Sequence, residues 1–129
     1  MADTSETRYL VLEDLLAICE EVGNLQVADL GLLDAACARP RSSVFGMDAY
    51  PDLVTKTAAL LQSIVRNRAL VDGNKRLSWL SAYAFLAING HDLDAPEDDA
   101  YDLVIGAAAG ALDLMEIAAA LRAWVVPAE

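Results

Sequence analysis

The chain has 129 residues, enough for one domain, residues 1 to 129, that buries its apolar surface in a single core without disulfides or a structural metal. Its hydrophobic fraction is 56%, yet no apolar run approaches the roughly 20 residues that cross a bilayer, and the longest, residues 77 to 88, is interrupted by Ser78 and Ser81 and reads as a buried core helix. The formal net charge of -11, from 9 Lys and Arg against 20 Asp and Glu, excludes a general nucleic-acid surface, which needs basic stripes to displace counterions from phosphates.

Nothing at the start of the chain, MADTSETRYL, combines a basic leader with an apolar stretch and a cleavage site, so a cytoplasmic location is expected. From residue 12 to 22 the apolar side chains Leu12, Leu15, Leu16, Cys19 and Val22 recur at helical spacing, and Gly23 and Asn24 end the helix. A short helix follows Asp29 as N-cap and carries Leu32, Leu33, Ala36 and Cys37 as far as Pro40. Cys19 and Cys37 lack partners at metal-ligand spacing and read as buried reduced thiols. Residues 41 to 50 form an irregular loop, with a short flap around 41 to 47 as the one place for extended structure.

Pro51 suits the first turn of a third helix, whose stripe of Leu53, Thr57, Leu60, Leu61 and Ile64 leads to position 68 on the same inward face. After a loop over 69 to 73, a fourth helix runs from about 74 to 89. Its large apolar residues surround the circumference, marking it as the central helix. Gly90 closes that helix, Pro96 restarts helix toward 109, and Asp113 with Glu116 forms a capping box for a last helix carrying Leu114, Ile117, Leu121 and Trp124. The expected fold is an all-α, compact single-domain bundle with a central buried helix and a short flap.

Four of the nine cations, Arg66, Arg68, Lys75 and Arg76, fall between positions 66 and 76. Composition alone balances two readings, a discrete anion site and solvated charges at helix ends. Local sequence adds to the first. Val71-Asp72-Gly73-Asn74-Lys75-Arg76 lies where a tight loop enters the fourth helix, and a helix start presents unpaired N–H groups and a positive dipole end. Gly73 lets the backbone approach an anion, while Asn74, Lys75 and Arg76 add donors and charge. Asp72 beside such a cradle is what Mg²⁺ requires, although an Asp there is by itself more often an N-cap. The Walker spacing is absent.

Residues 68 to 76, Arg-Ala-Leu-Val-Asp-Gly-Asn-Lys-Arg, resemble the signature His-x-Phe-x-Asp-(Gly/Ala)-Asn-Lys-Arg of the Doc branch of the Fic/Doc family, with Leu70 at the aromatic position. Lys75 is similar to Doc rather than to the Fic adenylyltransferases, which commonly carry Gly there. Tyr9-Leu10, Gly31-Leu32-Leu33-Asp34, Ala38-Arg39-Pro40, Tyr50-Pro51 and Asn89-Gly90 extend the likeness over nearly the whole chain.

The resemblance implies a toxin of a toxin-antitoxin pair that uses ATP and Mg²⁺ to phosphorylate elongation factor Tu on a threonine. It also implies a Phd-type antitoxin whose C-terminal segment folds onto the toxin. By position, Asp72 holds the metal, Gly73 and Asn74 form the cradle, Lys75 and Arg76 grip phosphates, and Arg66 adds a cation. The expected catalytic base is replaced: Arg68 stands at the histidine position, and a guanidinium cannot accept a proton. His91, the only histidine, lies about 24 Å away along about sixteen helical residues and is expected in a loop. The intact motif around Arg68 favours a deliberate substitution in a growth-arresting protein over a natural non-catalysing variant. A noncatalytic nucleotide- or antitoxin-binding module and a Fic-like adenylyltransferase are the alternatives.

Overall fold

A computed structural model describes residues 6–129; the first five residues of the N-terminal segment read above lie outside the described residues. Six helices carry the fold: α1 Leu12–Glu21, α2 Leu30–Ala38, α3 Leu53–Asn67, α4 Asn74–Ile88, α5 Glu97–Ala108 and α6 Leu114–Trp124. A 3-10 turn, Arg39–Arg41, extends α2, and four short strands are added: β1 Ser43–Val44, β2 Met47–Asp48, β3 His91–Leu93 and β4 Val125–Pro127. The all-α expectation with a short flap is met. Among the described residues no helix is long and apolar enough to cross a membrane.

Local chemistry sets the helix ends. Asp29 caps α2 by accepting from the Leu32 N–H at 3.0 Å, and Asp113 and Glu116 form the expected reciprocal box at α6. The third helix starts later than expected. Asp52 is its N-cap, accepting from the Thr55 N–H at 3.1 Å and the Thr55 hydroxyl at 2.7 Å, so Pro51 lies outside the helix instead of in its first turn. Desolvation pushes the Asp52 carboxyl up, but the Thr55 bonds and the Arg122 guanidinium, 2.8 Å away, outweigh it and hold the pKa below the ordinary aspartate value.

The enclosed helix is α3, not α4. It packs against α2, α4, α5 and α6, and ten of its residues, Thr55 to Leu61 and Ser63 to Val65, are buried. Polarity hid this from the sequence, because Thr55, Lys56, Thr57 and Ser63 are buried with their polar atoms engaged: the Thr57 hydroxyl donates to Leu53 O at 2.8 Å, and Ser63 Oγ accepts from Arg39 at 2.9 Å. Two apolar clusters lie on either side of the α3–α4 pair. One joins Leu60 and Ile64 to Leu15, Leu33, Leu77 and Phe85; the other joins Leu61 and Val65 to Leu86, Leu103, Ile117 and Leu121.

β3 and β4 pair antiparallel, with His91 opposite Pro127 and Leu93 opposite Val125. This ribbon corrects the expectation that only the flap is extended and that His91 sits in a loop. Three residues on each strand are too few for an alternation to stand out. Cys19 and Cys37 are buried and free, as expected.

Candidate functional site

The motif loop between α3 and α4 is braced by residues 25 to 29. The Val71 N–H donates to Gln26 O at 2.9 Å, and Ala69 O accepts from the N–H groups of Ala28 and Asp29 at 2.8 and 3.0 Å. Leu70, at the signature's aromatic position, is 3% exposed and plugs the first apolar cluster. Asn74 closes the loop from inside: its Oδ1 accepts from the Leu70 N–H at 3.0 Å and its Nδ2 donates to Leu70 O at 3.1 Å. The Asn74 side chain is thus committed to the loop. Its backbone N–H belongs to the start of α4.

That start has no side-chain cap, because the N-cap is Gly73. Asp72 stands one residue earlier, exposed, with Oδ1 accepting from the Gly73 N–H at 2.9 Å. An uncapped α-helix presents its first N–H groups together with its positive dipole end, and here exposed Lys75 and Arg76 rim them. Gly73 is required twice over. Its φ is +89°, and a Cβ would lie 2.8 Å from Leu25 Cδ2. Asp72 is the one carboxylate in loop residues 68 to 73, and among the described residues no three His, Cys, Asp or Glu side chains gather to hold a metal ion. An exposed carboxylate beside an open anion cradle fits the donor set of Mg²⁺, which completes its shell with phosphate and water.

Arg68 does not lie on the inward face. It is exposed and ends α3 in the left-handed region, φ 53° and ψ 48°, so the chain reverses before the inward stripe reaches it. Arg66, on the last turn of α3, is exposed, and its Nη1 is 3.4 Å from where a Cβ on Gly110 would sit. It lines a cleft of about 280 Å³ with Arg39, Gln62, Ser63 and Asn67. His91 lies on β3, with Nδ1 2.9 Å from Asn89 O, and borders another cleft with Asp92, Asp94 and Glu129.

The sequence did not single out Lys56 or Asp48, and it offered Arg39 and Tyr50 only as parts of matched segments. Lys56 is 1% exposed and reaches Asp48 on β2 at 3.0 Å, with the Tyr9 ring centroid 5.8 Å from its Nζ. Desolvation lowers the Lys56 pKa, but Asp48 and Tyr9 outweigh it and hold the value above that of ordinary lysine. Arg39 donates from Nε to the Tyr50 hydroxyl at 2.8 Å and stacks over that ring at 5.3 Å. The base of the flap is therefore held by two cations, while its tip, with Phe45 100% exposed, is open to solvent. A lysine inside an apolar stripe was the only available signal.

Fold and loop together define a class: an all-α domain whose motif loop leads into an open, cation-rimmed helix start. The sequence profile of the Fic/DOC family matches residues 5–86, and the chain belongs to that family. It is 50% identical over 127 residues to "Toxin Doc" of Mycolicibacterium smegmatis, covering 95% of this chain and 98% of the relative. It is 31% identical over 121 residues to "Protein kinase doc" of Escherichia phage P1, covering 89% and 94%.

Proposed function

We propose that the protein is the toxin of a toxin-antitoxin pair, a Doc-type kinase that uses ATP and Mg²⁺ to phosphorylate elongation factor Tu on a threonine in the cytoplasm. The present form is catalytically impaired. One observation supports this reading: α4 starts without a side-chain cap, with Asp72 and Gly73 just before it and exposed Lys75 and Arg76 in its first turn. The names of the two relatives, one a toxin and one a protein kinase, support it.

Phosphoryl transfer demands positioning and charge neutralisation more than covalent chemistry. Backbone N–H groups at the start of α4 bind phosphate oxygens, Lys75 and Arg76 grip the nucleotide's phosphates, and Arg66 adds charge from α3. Asp72 would hold the magnesium ion, which supplies further neutralisation of the phosphates. The acceptor hydroxyl must also lose a proton, and Arg68 cannot take it. Arg68 occupies a left-handed position, where Asn, Asp and His are all enriched, so a histidine is compatible with the backbone there.

The partner in this reading is a Phd-type antitoxin whose C-terminal helix packs on exposed apolar side chains such as Leu30, Leu32, Phe45 and Met47. Arg68→His with ATP, Mg²⁺ and elongation factor Tu is expected to give a phosphothreonine. An unmodified factor contradicts the kinase reading, and an added AMP marks adenylyl transfer instead. Arg68 also favours a second reading, a noncatalytic binding module. Expressed without antitoxin, the His variant arrests growth under the first reading and neither variant does under the second.

A further inference from the structure

The acidic balance of the chain makes its unpaired cations informative. Among the described residues only two ion pairs form, Lys56 with Asp48 and Arg122 with Asp52. Arg39 and Arg66 face one cleft of about 280 Å³, and among the described residues no carboxylate forms an ion pair with either. Arg39 is half-buried and Arg66 exposed, and a half-buried charge without a counter-ion carries a desolvation cost that a bound anion offsets.

Arg39 Nη1 donates to Gln62 Oε1 at 2.7 Å, Ser63 Oγ at 2.9 Å and Ala59 O at 3.3 Å, and Nε is spent on Tyr50. Gln62 and Ser63 both act as acceptors toward Arg39, which leaves the Gln62 amide N–H groups and the Ser63 hydroxyl hydrogen without a partner among the described residues. Arg39 Nη2 and the Arg66 guanidinium add to them. Donors and positive charge line a solvent-open cleft of about 280 Å³, which is roomy enough for a hydrated oxyanion.

We propose that the cleft between Arg39 and Arg66 is a binding site for a phosphate-class dianion, supplied as free phosphate or as a nucleotide's terminal phosphate. It shares Arg66 with the proposed nucleotide site but uses none of Asp72, Gly73, Lys75 or Arg76, so it does not depend on the kinase reading. Fixed guanidinium forks suit tetrahedral oxyanions better than flexible ammonium groups do.

The test is a titration of the full chain with inorganic phosphate at constant ionic strength. Binding is followed by calorimetry and by the side-chain nitrogen resonances of Arg39 and Gln62. Saturable binding is expected, with both resonances shifting, sulfate competing and chloride failing to compete. Arg66→Gln, at an exposed position, is expected to weaken it at least tenfold with an unchanged melting temperature, and Arg8→Gln, an exposed arginine outside both sites, to leave it intact. Effects matched by chloride, binding retained in Arg66→Gln, or binding lost in Arg8→Gln would overturn the proposal. Displacement of phosphate by ATP identifies the nucleotide as the source, and simultaneous binding identifies free phosphate; both uphold the site. Phosphate bound with no ATP–Mg²⁺ binding upholds the cleft and sinks only the kinase reading.

Discussion

Gly73 is the residue on which the motif loop turns. A side chain there meets both a left-handed backbone and Leu25, so Gly73→Ala is expected to cost about 1–3 kcal/mol and to shift the loop. Denaturant unfolding measures the first effect and ATP affinity the second; a neutral substitution would show that the loop has slack. Cys37 illustrates the opposite kind of residue, one with chemistry suppressed. Burial pushes its thiol up to about 11, and its Sγ donates to Leu10 O at 3.1 Å. At pH 8 about one molecule in a thousand then carries the thiolate, so alkylation of the folded protein is expected to be far slower than after denaturation. Asn74 and Leu70 were legible in the sequence as motif members. Their mutual hydrogen bonds were not, because a motif names residue types and leaves open whether an amide faces a ligand or its own loop.

At the scale of elements, the flap and the start of α3 are tied by separate ion pairs. Lys56→Met keeps the buried volume and leaves Asp48 solvated, so global stability is expected to change by less than about 1 kcal/mol while amide exchange across residues 42 to 49 accelerates. Unchanged exchange would show that the Arg39–Tyr50 contact suffices to hold the flap. The raised Lys56 pKa places this tie's contribution fully below about 10.4, the unfolded value, and removes it as pH rises through the folded value. Asp52 has the opposite sign. Its depressed pKa adds stability that is present above about 3.9 and lost as pH falls through the folded value. Asp52→Asn retains a capping side chain, and melts between pH 3 and 7 are expected to show a shallower acid dependence than the unsubstituted protein. Helices α1, α2, α4, α5 and α6 were readable from spacing and caps. The burial of α3 and the β3–β4 ribbon were not, because one is built from satisfied polar groups and the other from three-residue strands.

Across the whole molecule, the α3–α4 pair separates two apolar clusters and carries the motif loop at one end. Leu70 joins that loop to the first cluster, so Leu70→Ala is expected to cost about 2–4 kcal/mol and to weaken nucleotide binding in the same step. Full affinity in such a variant would mean that the loop holds its shape without its anchor. The nine cations are distributed unevenly over an acidic chain: Arg66, Lys75 and Arg76 lie close together in the sequence, while Arg39 meets Arg66 in one cleft only through the fold. Calorimetry with ATP and Mg²⁺ probes the α4 start most directly. Saturable heat is expected from the unsubstituted protein, with affinity at least tenfold lower for the Lys75→Gln, Arg76→Gln double variant, as the loss of charge-assisted hydrogen bonds requires. No heat from a protein that still captures its antitoxin, or equal affinity in both forms, would contradict a nucleotide docked at this helix start.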